Sequence, residues 1–308
     1  MNNQSFDIPF IIDKIILIES LNGIHKSTAE DLYKNILLSQ FDDINPIYES
    51  IESKDDLINL LIKIDSCITQ NKFHPLIHIE AHGLDSELGL SLNSSESITW
   101  EELKPYLRRI NISCCNNLVL CISACNSINI VKELVTAFYD NDRYESPFFG
   151  FVSPIGRVTW EELYMQYSVF YKSLSKEKNF NMAVTEMNKG FTSKFSYYSC
   201  YQAFLIIIKK FANTFIKDRV LNIQKDFSVL DECCEMYNYT YNQQCDHNAI
   251  FQIFTDEQFY IDYLNKRMAD YLIFKNCYED HHRFPKIKSL ENFEKSVPSK
   301  MLIEKHRI

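Results

Sequence analysis

Two periods of apolar residues share the first half of the chain. Short β-branched runs at Lys14–Glu19, Pro46–Ile51, Pro75–Ala81, Asn117–Ser123 and Pro147–Val152 read as buried strands. Stretches with helical spacing separate them. Leu32, Ile36 and Leu37 form one apolar face after a cap at Ser27 or Thr28. Leu57, Leu60, Leu61, Ile64 and Ile68 form another after Ser53, with Asp55 and Asp56 in the first turn. Thr99 and Glu102 make a capping box for a helix running to about Ile110, and Thr159 and Glu162 repeat the same TWEEL segment before Leu163, Tyr167, Phe170 and Leu174. The flanks of the two boxes differ, so the repeat reads as convergent cap chemistry rather than duplication. Asn129–Tyr139 and Asn181–Lys189 complete the helices, and Gly89–Leu92 reads as an edge strand or hairpin arm.

Strands alternating with helices predict an α/β fold with a mostly parallel sheet and helices on both faces. From about Ser193 the strand signal stops. Residues 192–308 read as a helical C-terminal region, either a partner- or substrate-interacting unit or a packed extension of the first domain, 1–191. The stripe Phe251, Phe254, Phe259 and Tyr263 is expected to be core.

Composition narrows the class. The chain has 308 residues, 46% of them hydrophobic, with only 6 Gly and 8 Pro, which is globular rather than disordered. A formal net charge of −9 argues against binding nucleic acid, where affinity comes mostly from Lys and Arg. The apolar run at Phe204–Ile208 is too short to span a bilayer, so no membrane partner is expected. No basic and apolar leader opens the chain, and its 10 cysteines are irregularly spaced; reduced thiols in a cytoplasmic protein are the expectation.

The chemistry concentrates between Phe73 and Ser127. His82 and Gly83 follow the third strand, and Cys125 follows the fourth. In a parallel sheet both sit at carboxyl ends, where such sheets bind ligands. A histidine and a cysteine on neighbouring strand ends outline a nucleophilic pair, the base activating the thiol. Gly83, lacking a Cβ, lets its backbone approach a tetrahedral intermediate, so Gly83 and Cys125 are the candidate N–H donors of an oxyanion hole. Asp85 and Glu87, just beyond, are weaker candidates to receive a Lys or Arg side chain of a substrate.

The segments Ile77–Gly83 (IHIEAHG) and Leu118–Cys125 (LVLCISAC) resemble the caspase-like (clan CD) cysteine proteases, including the caspase-like domains known as CHAT. The resemblance covers roughly residues 12 to 190. It implies a caspase-hemoglobinase fold, with His82 as general acid/base and Cys125 as nucleophile of a cytosolic endopeptidase. It also implies a protein substrate, a regulatory protein or ligand as activator, no cofactor, and a role of the kind such domains have in microbial defence or cell death. The turn after the nucleophile is Asn126-Ser127 rather than Arg-Gly, and no arginine set for a substrate aspartate is recognisable, so cleavage after Asp is not implied.

Other residues have plainer readings. Cys114, Cys115 and Cys121 read as core thiols, His78 as a packed histidine, and Glu80 as a polar strand residue facing a helix. Cys233, Cys234, Cys245, His247, Cys277, His281 and His282 supply ligand types without any Cys-x2-Cys pair, so no metal is expected. Two rival functions remain: a catalytically silent caspase-like interaction module, and a Cys–His hydrolase or transferase acting on a non-peptide substrate.

Overall fold

A computed structural model describes residues 10–21, 27–131, 145–211, 227–243, 257–272 and 287–289. The fold is α/β. One mixed, mostly parallel sheet is flanked by helices on both faces. Its strands are β1 (Lys14–Ser20), β2 (Ile47–Ser50), β3 (Pro75–Gly83), β6 (Val119–Ser123), β7 (Gly150–Pro154) and β8 (Phe195–Ser199), in the spatial order β2-β1-β3-β6-β7-β8. All neighbours along this path pair in parallel except β7 and β8. Two short strands, β4 (Gly89–Ser91) and β5 (Ser97–Thr99), form a hairpin that pairs with the end of β3.

Alternation along the strands sorts the core into two layers. Ile16 and Ile18 on β1, Ile77 and Ile79 on β3, and Leu120 and Ile122 on β6 pack under α2 (Lys54–Asn71) and α3 (Trp100–Ser113). The opposite face carries Ile15, Leu17, Leu76, Val119 and Cys121. It is covered by α1 (Thr28–Leu32), α4 (Trp160–Glu177), α5 (Phe180–Met187) and α6 (Cys200–Phe211), with side chains from α7 (Phe227–Tyr241) and α8 (Glu257–Tyr271) in the same cluster. Helix α1 continues through a π-helical segment, Tyr33–Leu37, and a last turn at Leu38–Gln40.

Most helix starts follow their cap chemistry. The Ser53 and Thr99 boxes both close, each hydroxyl accepting from the N3 amide while the N3 carboxylate accepts from the cap N–H. At Thr159 the box is only half made. Its hydroxyl accepts from Glu162 N, but the Glu162 carboxylate instead accepts from Ser193 Oγ at 2.5 Å. Ser27 does not cap α1 through its side chain; its Oγ donates to Glu19 Oε2 at 2.5 Å.

Three sequence expectations change. The 195–199 segment is a strand, so the stretch beyond residue 192 is not purely helical: it adds an antiparallel member, β8, to the sheet. β3 does not stop before His82-Gly83; those residues pair with Ser91 and Leu90 of β4. Strand β7 starts at Gly150, leaving Phe148 and Phe149 as buried residues ahead of it. The expected helix at Asn129–Tyr139 lies mostly outside the described residues, as do Phe251 and Phe254, whereas Phe259 and Tyr263 are buried in the core cluster.

Candidate active site

The strand register brings the two reactive residues to the same edge. Leu17, His78 and Cys121 form one row across β1, β3 and β6, and Glu19, Glu80 and Ser123 form the next. His82, two residues further along β3, belongs by the period of the strand to the face that α4 covers; Cys125, in the turn just past the end of β6, lines the same cleft. Neighbouring strands lie about 5 Å apart, which is the separation expected of the two backbones. Gly83 reports how close they come: a Cβ there would lie 2.2 Å from the carbonyl oxygen of Cys125. No other residue fits at 83 without moving the cysteine turn.

Cys125 is held in a tight reversal. Asn126 adopts the left-handed conformation (φ 57°), a region Asn tolerates better than most residues, and the chain then enters a 3-10 turn at Ser127–Asn129. The amide of Asn126 donates to Gly156 O at 3.2 Å, and the Cys125 thiol points to Val158 O at 3.7 Å. The segment joining β7 to α4 thus lies against the cysteine turn. Cys125 is partly exposed and His82 is exposed.

Between these parts is a cleft of about 360 Å³. One side is formed by the strand ends, with Leu21, Glu80–Gly83 and Ser123–Cys125; the other by Val158–Glu161 and Leu163 at the start of α4. Strand order reverses between β1 and β3; the cleft lies beside that switch point, over the carboxyl ends of β3 and β6 with Leu21 of the β1 end at its rim, where an open α/β sheet binds its ligands.

Beneath the cleft runs a buried polar column. His78 is fully buried, its Nδ1 2.6 Å from Tyr171 Oη and its Nε2 2.6 Å from Ser123 Oγ. Burial pushes its pKa down to about 3, so the ring is neutral and a second base is not available there. Burial likewise raises the Cys121 thiol well above the ordinary range, leaving it an inert core thiol. Glu80 is 2% exposed, and burial together with the neighbouring Glu19 carboxylate holds its carboxyl well above the usual carboxylate range. Cys114 is buried and Cys115 partly so, off this cleft.

Asp85 and Glu87 sit on the β3–β4 connection, outside the cleft lining. Glu87 has a positive φ (62°), accepts from Trp100 Nε1 through its carbonyl at 2.9 Å, and accepts from Asn129 Nδ2 through its carboxylate at 2.7 Å. It ties the loop after His82 to the turn after Cys125. The structure adds the α4 wall of the cleft, and it places Glu80, read from the sequence as a polar strand residue facing a helix, in the cleft lining. Strand parity alone could have put Glu80 on the face of His82, two residues ahead of it.

Among the described residues, no group of three His, Cys, Asp or Glu is placed to hold a metal ion. Cys245, His247, Cys277, His281 and His282 lie outside them. No helix among the described residues is long and apolar enough to cross a membrane. No protein-family model matches the chain, and no curated protein matches it.

Proposed function

We propose that the chain is a cysteine endopeptidase of caspase-like type, working through Cys125 and His82. One observation carries the reading: a histidine and a cysteine at the carboxyl ends of adjacent parallel strands line one cleft, with glycine forced at 83 by the Cys125 carbonyl 2.2 Å from where a Cβ would be. The strand order, with five parallel members and an antiparallel last one, is compatible with that family.

The reaction follows acyl transfer. The Cys125 sulfur, its proton passed to His82, attacks the scissile carbonyl carbon and an S–C bond forms. The N–H groups of Gly83 and Cys125 stabilise the oxyanion. The tetrahedral intermediate collapses as the C–N bond breaks, and His82 returns its proton to the leaving amine. Water, deprotonated by His82, then attacks the thioester, releasing the carboxylate and regenerating the thiol. No cofactor enters the scheme. A protein substrate and an activating partner or ligand belong to the proposal.

A peptidyl acyloxymethyl ketone tests it. The expected result is a covalent adduct on Cys125, absent from Cys125→Ala and strongly reduced in His82→Ala. Modification of Cys125 by iodoacetamide without any adduct from peptidyl ketones would instead favour a Cys–His enzyme with a non-peptide substrate. A Cys125 inert to both would leave an interaction module.

A further inference from the structure

The cleft holds an acid that the acyl-transfer scheme does not use. Glu80 lines it, is 2% exposed, and its Oε2 has no hydrogen-bond partner. Its neighbours in the row have other commitments. Glu19 on β1 accepts from Ser27 Oγ at 2.5 Å, Ala29 N at 3.3 Å and Tyr48 Oη at 2.5 Å. Ser123 on β6 is hydrogen-bonded to His78 Nε2. From α4, Tyr167 and Tyr171 face Glu80, with Glu161 at the cleft wall, and no Lys or Arg lines the cleft. A buried acceptor left open beside a second carboxylate, in a cleft without cations, calls for a donor brought in by the ligand, and a positive one is favoured.

We propose that this cleft takes the basic side chain, lysine or arginine, of a peptide substrate, with Glu80 as its counter-ion, so that the chain cuts beside a basic residue. The assignment rests on the Cys125–His82 reading. Glu80 lies two residues before His82 on the same face, about 6.6 Å along the strand. The stem of a lysine or arginine whose carbonyl sits at Cys125 spans that depth. An acidic side chain would find Glu80 and Glu161 and no lysine or arginine in the lining, and is disfavoured.

Burial and Glu19 both favour the protonated form of Glu80. An arriving cation favours the charged form, and the proton leaves to solvent as the ion pair forms. Binding therefore releases a proton over the pH range in which the free site is protonated, and strengthens as pH rises through that range. The other titratable groups around it are His82 and His78 on its own strand, Glu19 on β1, Cys121 and Cys125 on and just past β6, and Tyr167, Tyr171 and Glu161 on α4.

Agmatine, which carries a guanidinium and no peptide, tests the subsite without catalysis. Calorimetry on the wild-type chain at about pH 5 to 6, in two buffers of different ionisation enthalpy, should show binding with release of a proton. Glu80→Gln, shaped like the protonated acid, should weaken agmatine on the order of ten-fold or more and abolish the proton release. No binding up to about 10 mM, binding without proton release by the wild type, or unchanged binding by Glu80→Gln overturns the proposal. The wild-type proton count stands even if the variant folds poorly. Failure here with His82-dependent alkylation of Cys125 intact removes only the cation subsite; loss of that alkylation removes the catalytic reading itself.

Discussion

His78 and Glu80, two residues apart on one face of β3, carry opposite linkage to pH. The folded His78 ring stays neutral down to about 3, against an ordinary 6.5, so the unfolded chain binds its proton first as pH falls. That group makes stability drop below about 6.5. Glu80 keeps its proton in the folded state well above 4.5, so it makes stability drop as pH rises past that value. Between those two values the effects oppose each other. Relative to wild type, Glu80→Gln should gain stability with rising pH by about 1.4 kcal/mol per pH unit, and His78→Gln should lose it by a similar slope. Urea unfolding across pH 5 to 6.5 measures both, and curves parallel to wild type would contradict the buried column. At Gly83 the constraint is steric. Gly83→Ala places a methyl 2.2 Å from the Cys125 carbonyl oxygen, so the cysteine turn must move. The expected cost is about 1–3 kcal/mol in denaturant unfolding, together with loss of Cys125 alkylation by a peptidyl acyloxymethyl ketone.

Local chemistry announces most elements, and non-local contacts decide the exceptions. The Ser53 and Thr99 boxes need only residues within one turn; the Thr99 box was legible as written, and at Ser53 the helix start was. The Thr159 box looks identical in sequence, yet Ser193, far along the chain, takes its Glu162 carboxylate. Thr99→Ala is therefore expected to cost about 1 kcal/mol in thermal or urea unfolding, as loss of an N-cap does. Ser193→Ala should remove the hydroxyl bond to Glu162 while leaving the backbone contacts of that carboxylate and the Thr159 hydroxyl bond to the Glu162 amide. β8 escaped the sequence reading for a different reason. Phe195, Tyr198 and Ser199 are buried while Ser196 and Tyr197 are half-buried, so no clean alternation marks it. Tyrosine also serves on either face of a strand, apolar ring inward and hydroxyl at a polar neighbour. The two extra residues of β3 were hidden because their partners, Ser91 and Leu90, lie beyond a loop.

The whole molecule joins its two halves through one core. Phe195, Tyr201, Phe204, Phe259 and Leu264 share a buried cluster with Leu17, Val119 and Tyr167. A chain ending at residue 194 would lose β8 and leave the β7 edge unpaired, so it is expected to aggregate or lack a near-UV signal. A monomer with native near-UV circular dichroism would contradict that. The sheet and the placing of His82 and Cys125 at one carboxyl edge could be anticipated from strand ends. The acid in the cleft became meaningful only once α4 closed the other side and left Glu80 without a partner for Oε2. The central claim remains that His82 serves Cys125. Site-resolved mass spectrometry of iodoacetamide alkylation at pH 6–7 tests it most directly. Cys125 should react at least about ten-fold faster than the partly exposed Cys67 and Cys115, and His82→Ala should remove most of that advantage. Equal rates at the three cysteines, unchanged by His82→Ala, would contradict it.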